Sequence, residues 1–216
     1  MNEICRIKGR AGVGLLSALP VIDKRYGLPG LAEDVDSGRW IEADVKTPQG
    51  YTVTVVCVYV HAGNTDDPEK MKQKYRFLDT MLVRMGQLRD EAAHGGKQAV
   101  LCGDFNIAHT PLDIKNAKAN EKHAGFLPEE RAYVDKWLGE LEFVDVMRSL
   151  CGDIQGPYTW WSQRGRAFDN NVGWRIDYQF ATPELAETAR GFVIDKAPTY
   201  DLRWSDHAPL SITYDV

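Results

Sequence analysis

The sequence predicts an α/β protein in which two sheets pack together and helices cover their outer faces. Residues 51–60, YTVTVVCVYV, are β-branched and almost entirely apolar, as in a strand that is covered on both faces. Residues 68–88 instead repeat apolar side chains every three or four positions, which is typical of an amphipathic helix. The 216 residues, 44% of them hydrophobic, are enough for a sizeable core and favour a single domain over residues 1–216.

The remaining elements follow from the same two periodicities and from turn residues. Strands are predicted, in chain order, at residues 12–18, 39–46, 51–60, 98–102, 158–162, 174–181, 191–195 and 209–214. Helices are predicted from Pro68 to the Gly95-Gly96 pair, from Pro128 to about Leu141, and over residues 145–150. Residues 108–127 are polar, which predicts a long loop, and long loops in compact domains are usually functional or disordered.

Composition limits the function classes. The net charge of −5 argues against a large nonspecific nucleic-acid surface, so a nucleic-acid contact should be local and assisted by bound cations. No run of 18 apolar residues is present, so we expect no membrane span. The four cysteines contain no C-x-x-C pair, which favours reduced thiols in a cytoplasmic protein over disulfides or zinc. These cysteines are Cys5, Cys57, Cys102 and Cys151.

The segment 98–109, QAVLCGDFNIAH, combines an apolar strand with two polar side chains at its end. Asp104 and Asn106 are two residues apart, so at a strand end their side chains can point the same way. A carboxylate beside an amide offers oxygen ligands for a hard metal ion, or a base beside a hydrogen-bond donor. The same G-D-x-N pattern also suits an ordinary turn.

A second polar pair, Asp206-His207, precedes the last predicted strand. Asp177 lies in an apolar strand, and a buried carboxylate needs a partner. A carboxylate beside a histidine fixes its tautomer and raises its basicity, which makes Asp177 and His207 a candidate dyad. The alternative is a structural ion pair between Asp177 and Arg175.

Further candidates are aromatic or cationic. Tyr59 ends the long strand, and its hydroxyl could reach a phosphate if the strand end lines a cleft. Trp160, Trp161 and Trp174 either fill the core or shape a pocket for a sugar or base. Donors for phosphates are supplied by Asn116, Lys118, Asn120, Lys122, Arg164 and Arg166.

Together these stretches resemble the exonuclease III type of apurinic/apyrimidinic endonuclease, within the endonuclease/exonuclease/phosphatase superfamily. The resemblance covers nearly the whole chain, in family order. The matching stretches are GRAGVGLLS (9–17), VYV (58–60), GDFNIAH (103–109), LDIKN (112–116), AGFLPEER (124–131), YTWW (158–161), NVGWRIDY (171–178) and SDHAPL (205–210). By themselves, the motifs G-D-x-N and S-D-H would indicate only the superfamily. The block from LDIKN to PEER and the stretch NVGWRIDY are more specific to its DNA-repair branch.

The resemblance implies a four-layered α/β sandwich and a Mg²⁺- or Mn²⁺-dependent hydrolase that cuts DNA phosphodiesters at abasic sites and 3′ ends. The implied partner is double-stranded DNA with abasic or 3′-blocked sites, and we expect a cytoplasmic monomer. Implied catalytic residues are Tyr59, Asp104, Asn106, Asp177 and His207. Implied metal ligands are Asp104, Asn106, Asp206 and His207. Implied DNA-binding residues are Asn116, Asn120, Lys122, Trp160, Asn171, Trp174 and Ile176.

The resemblance also implies individual roles. Asp104 would activate or orient the attacking water, and Asn106 would stabilise the transition state. Asp177 would orient His207 against the scissile phosphate. The aromatic residues would wall a pocket for a flipped-out abasic sugar, since a missing base costs less to extrude.

Two features depart from the family pattern. Relatives begin with a strand bearing W-N, and a second strand ends in a metal-ligating Glu; neither is found here, and Glu3, Glu33 and Glu42 lie in other contexts. We therefore expect this chain to be the C-terminal portion of the domain, without the N-terminal strands and with weak or no activity by itself. His61 and Ala62 also stand where relatives have Pro followed by Asn or Gln. The alternatives are a phosphodiesterase for a non-DNA phosphate ester and a non-catalytic fragment.

Overall fold

The computed structural model describes residues 2–3, 11–31 and 37–216, with side chains from residue 11 onward. Its strands are β1 Asn2–Glu3, β2 Val13–Gly14, β3 Val21–Tyr26, β4 Trp40–Lys46, β5 Thr52–Tyr59, β6 Gln98–Asp104, β7 Val144–Asp145, β8 Trp160–Trp161, β9 Gly173–Trp174, β10 Asp177–Ala181, β11 Ala189–Ile194 and β12 Leu210–Tyr214. Its helices are α1 Pro68–Ala93, α2 Ala117–Asn120, α3 Pro128–Gly139, α4 Val146–Cys151 and α5 Pro183–Ala186. Short 3₁₀ turns cover Pro111–Asp113 and Tyr200–Leu202.

A six-stranded mixed sheet forms the centre, in the order β3-β4-β5-β6-β10-β7. Strand β5 runs parallel to β6, and the other neighbours are antiparallel. The parallel pair is joined by α1, which is the crossover helix that such a connection requires. Smaller two-stranded sheets pair β1 with β2, β8 with β9, and β11 with β12.

Alternate residues of the central strands face two different hydrophobic clusters. On β6, Ala99 and Leu101 face the cluster formed with α1 and α3, whereas Val100 faces the cluster formed with β12. This is the two-residue period of a strand buried on both faces. The predicted α/β architecture of packed sheets and outer helices is confirmed.

The long helix begins and ends where its sequence predicts. Asp67 is the N-cap and accepts a hydrogen bond from the backbone N–H of Lys70, with Pro68 in the first turn. Its apolar stripe packs against the central sheet, where Phe77, Leu78 and Met81 are fully buried. Burial of such side chains contributes roughly 1.5–3 kcal/mol each.

Several boundaries differ from the prediction. The edge strand β3 was not predicted, because most of its side chains are exposed and its sequence has no apolar alternation. The predicted strand at 12–18 is reduced to Val13–Gly14, and the predicted loop 108–127 contains a 3₁₀ turn and α2. The predicted strand at 174–181 is divided between β9 and β10, which belong to different sheets.

The remaining expectations concern cysteines and membranes. Cys57, Cys102 and Cys151 are free thiols in the structure, and Cys5 lies outside the described residues. Among the described helices, none has the length and apolar character needed to cross a bilayer.

Candidate active site

Three predicted site residues form a row across neighbouring strands. Tyr59 at the end of β5 is the register partner of Asp104 at the end of β6, and Asp104 is in turn the partner of Asp177 at the start of β10. All three side chains point to the face of the sheet opposite α1. Residues two or four positions away on the same strands, which are Val55, Cys102 and Ala181, belong to the hydrophobic cluster on that face. The register therefore brings a phenol and two carboxylates to one edge of the sheet.

Glycine is required immediately before the central carboxylate. Gly103 has a φ of 145°, and a Cβ at this position would lie 1.9 Å from the carbonyl oxygen of Val58. Only a residue without a side chain allows β6 to approach β5 this closely. The glycine of the G-D-x-N motif therefore sets the position of Asp104.

The turn after β6 ties Asn106 to Asp104. Asn106 adopts a left-handed conformation with a φ of 51°. Its backbone N–H donates to Oδ1 of Asp104 at 2.8 Å, and its Nδ2 donates to Oδ2 of Asp104 at 2.8 Å and to the carbonyl of Val60 at 3.0 Å. Asn106 thus orients both oxygens of Asp104 as well as lining the cleft.

The predicted contact between Asp177 and His207 is present. Nδ1 of His207 lies 2.9 Å from Oδ2 of Asp177, and Nε2 points toward Asp104, 3.9 Å from its Oδ2. The alternative partner, Arg175, instead binds Asp113 and Asp145 in a buried ion cluster. The carboxylate of Asp177 therefore fixes the orientation of the His207 ring.

Crowding of charge shifts the pKa values of this group. Burial, together with the nearby charge of Asp177, raises the pKa of Asp104 to about 7. Burial alone would lower the pKa of His207, but the hydrogen bond to Asp177 and the charges of Asp177, Asp104 and Asp206 raise it to about 9. In the metal-free protein both shifts favour the protonated form of the group concerned.

A tryptophan connects the acidic group to the aromatic wall. Nε1 of Trp160 donates to Oδ2 of Asp206 at 3.0 Å, and Trp160 forms a β-bridge with His207. The ring of Trp160 also meets that of Trp174 edge to face, with centroids 6.0 Å apart. Asp206 is thus oriented by a residue that also forms the pocket.

A cavity of about 420 Å³ joins these groups. Trp160, Trp174 and Ile176 form its apolar wall, and Asp104 and His207 lie on its polar side. The backbone at Gly125 closes the wall, because a Cβ there would lie 3.0 Å from the Trp174 ring and 3.1 Å from the carbonyl oxygen of Asn106. The result is a compact pocket with aromatic and acidic walls.

The predicted site residues divide between the cavity and its surroundings. The cavity is lined by Tyr59, Asp104, Asn106, Asn120, Trp160, Trp174, Ile176, Asp206 and His207. Asp177 supports His207 from behind. Asn116 and Lys122 are exposed on the neighbouring loop, outside the lining. The Oδ1 of Asn171 accepts from Trp161 at 3.0 Å and from Lys196 at 3.2 Å, so this amide also holds the β8–β9 region together.

Sequence reasoning missed several residues. The cavity is also lined by Ala62, Gly63, His123, Ala124 and Gly125. Beneath it lies a buried ion pair between Lys74 of α1 and Glu130 of α3, with Nζ and Oε1 2.5 Å apart. The available signal was a lysine inside the apolar stripe of α1, where Met71, Tyr75 and Leu78 predict a buried face.

The donor chemistry fits a hard divalent cation. Asp104 and Asp206 supply carboxylate oxygens, and a cation bound beside Asp104 would stabilise the ionised carboxylate that burial and Asp177 disfavour. Among residues 11–31 and 37–216, no three His, Cys, Asp or Glu side chains converge as a complete ligand group. Glu42 is committed elsewhere, since it is buried and paired with Arg25 and Arg84. Glu33 and the side chain of Glu3 lie outside the described residues.

The sequence matches the Endonuclease/Exonuclease/phosphatase family over residues 4–207. It is 32% identical over 209 residues to an exodeoxyribonuclease of Bacillus subtilis, covering 97% of this chain and 76% of that protein. It is 31% identical to a DNA-(apurinic or apyrimidinic site) endonuclease of Dictyostelium discoideum, covering 97% of this chain and 54% of that protein. The chain thus spans only about half the length of the Dictyostelium relative.

Solved structures share the fold. An AP endonuclease from Archaeoglobus fulgidus superposes with a TM-score of 0.79 at 31% identity, covering 93% of this chain and 73% of that one. A 3′ phosphatase from Neisseria bound to a product DNA hairpin superposes with a TM-score of 0.80 at 29% identity, with the same coverage.

Proposed function

Because the chain belongs to the endonuclease/exonuclease/phosphatase family, we propose that it is a divalent-metal-dependent DNA repair nuclease. Its substrates would be phosphodiesters at abasic sites and phosphates at 3′ ends of double-stranded DNA. The single observation that carries this proposal is the cavity in which Asp104 and His207 face an aromatic wall formed by Trp160 and Trp174. The curated relatives named as an exodeoxyribonuclease and an AP endonuclease support the same substrate class.

The proposed chemistry assigns acid–base work to Asp104. Its raised pKa of about 7, due to burial and Asp177, suits a group that accepts a proton from water near neutral pH. The two hydrogen bonds from Asn106 hold the carboxylate in one orientation toward the cavity. Asn106 acts in this proposal mainly by orienting Asp104.

His207 provides positive charge for the phosphate. With Nδ1 held by Asp177, its Nε2–H can donate into the cavity. A pKa of about 9, reached because Asp177 and the other carboxylates outweigh burial, keeps the ring protonated at pH 7. A preorganised cationic donor stabilises the charge that develops on a phosphate during attack. Tyr59, on the neighbouring strand, lines the same cavity and offers a hydroxyl to the phosphate.

The metal site would be built from the oxygen atoms of Asp104, Asn106 and Asp206, whereas the protonated His207, which the resemblance also implies as a ligand, would instead face the phosphate. When bound, a Mg²⁺ or Mn²⁺ ion would polarise the phosphate and stabilise the leaving oxygen. Asp206 is held ready for this role by the hydrogen bond from Trp160. The apolar side of the cavity would accept an abasic sugar, whose extrusion costs less than that of a paired nucleotide.

DNA would contact the loops around the cavity. Asn120 lines the cavity, and Asn116 and Lys122 belong to the exposed loop beside it, where phosphates of a bound duplex would pass. The net charge of −5 fits a small, cation-assisted contact area rather than a broad basic surface.

An incision assay tests this proposal. Duplex DNA with one abasic site is incubated with the chain and Mg²⁺ or Mn²⁺, beside Asp104→Asn and a reaction with EDTA. We expect weak metal-dependent cutting that Asp104→Asn abolishes. A duplex with a 3′-phosphate end measures phosphatase activity in parallel. Hydrolysis of a small phosphodiester with no DNA cutting would favour the non-DNA phosphodiesterase.

The third reading, a non-catalytic fragment, is tested in the same experiment. DNA binding without any metal-dependent cutting would support it. A peptide that carries the W-N strand and the family's metal-ligating Glu would then be added. It would restore cutting only if the residues of this chain form a competent part of the active site.

A further inference from the structure

We propose that Lys74 is a positioning residue for the phosphodiester cleavage, because its ammonium group joins the three backbone segments that shape the cavity. The proposal deepens the proposed function and rests on it for its kinetic consequence. Lys74 is fully buried beneath the cavity and does not line it, so it would act through the segments that it holds.

The Nζ of Lys74 makes three contacts. It donates to the carbonyl oxygen of Asn106 at 2.9 Å and to that of Ala62 at 3.1 Å, and it forms the ion pair with Glu130. The first two contacts are hydrogen bonds, and the third is a charge–charge contact with the carboxylate of Glu130. Two of the partners belong to segments that line the cavity, which are the turn after β6 and the loop after β5.

The contact to Asn106 matters because of the local conformation. Asn106 holds a left-handed backbone with a φ of 51°, which is an uncommon state for a residue other than glycine. Its N–H and side chain together orient Asp104. Lys74 binds the carbonyl of the same residue and thereby stabilises the peptide orientation on which the position of Asp104 depends.

Glu130 extends the connection to the pocket wall. Its Oε2 accepts hydrogen bonds from the backbone N–H of Gly125 at 2.6 Å and of Leu127 at 3.0 Å. Gly125 in turn accepts from the N–H of Ala108 at 2.8 Å and lies against Trp174. The Lys74–Glu130 pair therefore links the turn after β6 to the aromatic wall through a few charge-assisted hydrogen bonds.

The loop after β5 is fitted onto the lysine stem. Gly63 has a φ of 75°, and a Cβ there would meet Sδ of Met71 at 2.7 Å and Cδ of Lys74 at 3.2 Å. The loop thus packs directly on the aliphatic part of Lys74, while its neighbour Ala62 binds the ammonium group. An apolar residue at position 74 would keep the packing but lose the three polar contacts.

The test separates positioning from stability with a charge-neutral pair of substitutions. Lys74→Met alone would leave Glu130 buried without its partner and could unfold the protein. The double variant Lys74→Met/Glu130→Gln removes both charges, so it keeps a neutral interior while deleting the donor to Asn106. Urea unfolding of each variant measures the folded fraction by which activity is normalised.

The same helix offers a matched control. Arg84, about three turns further along α1, forms a buried ion pair with Glu42 of β4 at 2.8 Å. Neither residue lines the cavity. The control variant Arg84→Met/Glu42→Gln therefore removes a comparable buried pair between the helix and the rest of the core.

Two readouts decide the proposal. We expect Lys74→Met/Glu130→Gln to lower kcat on abasic-site duplex by about 100-fold with KM little changed, as for a misplaced catalytic group. Amide hydrogen exchange at Asn106 and Ala108 should be faster in this variant. The Arg84 control should keep both quantities at the wild-type level once normalised for folded protein.

Each outcome has a defined meaning. Unchanged exchange at Asn106 and Ala108 would overturn the positioning role, as would an unchanged kcat in a chain that cuts abasic DNA. An equal kcat loss in the Arg84 control would also overturn it, because the effect would then be a general loss of core stability. If the wild-type chain cuts no substrate, the proposed function fails, and the exchange measurement alone decides the role of Lys74.

Discussion

Asp104 and Asp177 are direct partners in the antiparallel register of β6 and β10, so two carboxylates meet at the same edge of the sheet. His207 lies between them, with Nδ1 on Asp177 and Nε2 toward Asp104. The register of β6 and β10 therefore sets the orientation of the imidazole. It also contributes to the raised pKa of Asp104, for which burial is the largest cause and the charge of Asp177 the next.

The first prediction concerns the His207–Asp177 contact. Replacing Asp177 by Asn removes the hydrogen-bonding carboxylate that outweighs burial, so the pKa of His207 should fall from about 9 toward or below its usual 6.5. Nuclear magnetic resonance titration of the imidazole in metal-free protein measures this directly. The other histidines serve as internal references, and an unchanged His207 titration would contradict the assignment.

A second prediction concerns Gly103. Alanine at this position would force its Cβ to within 1.9 Å of the Val58 carbonyl oxygen, so β5 and β6 would have to separate. We expect Gly103→Ala to lower the free energy of unfolding by roughly 3 kcal/mol or more, in the range of the most damaging single substitutions. Gly139→Ala is the control, since a Cβ there meets nothing within 4 Å.

A site residue could be predicted from the sequence when the residues beside it form a recognisable local motif. Asp104, Asn106 and His207 stand in short polar motifs beside apolar strands, so their motifs were visible without the fold. Lys74 had no such motif. Its partners are 12 to 56 positions away along the chain, and only the packing of α1 against α3 and the turn after β6 brings them together.

The strand predicted at residues 174–181 is a second feature that local sequence could not place, because the structure divides it between two sheets. Trp174 pairs with Trp160 in a small sheet, whereas Asp177 pairs with Asp104 in the central sheet. The chain changes sheets at Arg175 and Ile176, where the N–H of Arg175 donates to the carbonyl of Asp113 and the carbonyl of Ile176 accepts from Phe105. Apolar periodicity cannot report such a transfer, since both halves are strand-like.

A third prediction concerns acid stability. Burial opposes ionisation of Asp44, but hydrogen bonds from Arg25, Lys97 and Thr54 lower its folded-state pKa to about 2, below the usual 3.8. A carboxylate with a depressed pKa stabilises the folded state above its unfolded pKa, and this stability is lost as the pH falls from about 4 through about 2. Glu42 acts in the same direction, since its pKa is also lowered despite burial, chiefly by Arg84.

Urea unfolding at pH 6, 4 and 3 measures this effect. The free energy of unfolding should decline as the pH falls, and Asp44→Asn should have a shallower decline together with lower stability at pH 6. Asp66→Asn is the control, because Asp66 is exposed on the surface. Equal slopes for wild type and Asp44→Asn would contradict the prediction.

The last prediction concerns the link between the aromatic wall and the proposed metal site. Trp160→Phe keeps an aromatic ring but deletes the N–H that donates to Oδ2 of Asp206 at 3.0 Å. Groups that orient a metal ligand typically contribute about 10- to 100-fold to metal affinity, so Mn²⁺ should bind correspondingly more weakly. Electron paramagnetic resonance of free Mn²⁺ measures the affinity without requiring activity.

Trp174→Phe is the matched control, because Trp174 contacts the Trp160 ring but makes no such bond to Asp206. It should alter the fit of the sugar pocket while leaving Mn²⁺ affinity unchanged. Equal Mn²⁺ affinities in wild type and Trp160→Phe would mean that Asp206 needs no orientation by Trp160, and equal losses in both variants would trace the effect to the pocket as a whole. A loss confined to Trp160→Phe would connect Asp206 to the cation, because that variant alone deletes a hydrogen bond to this carboxylate.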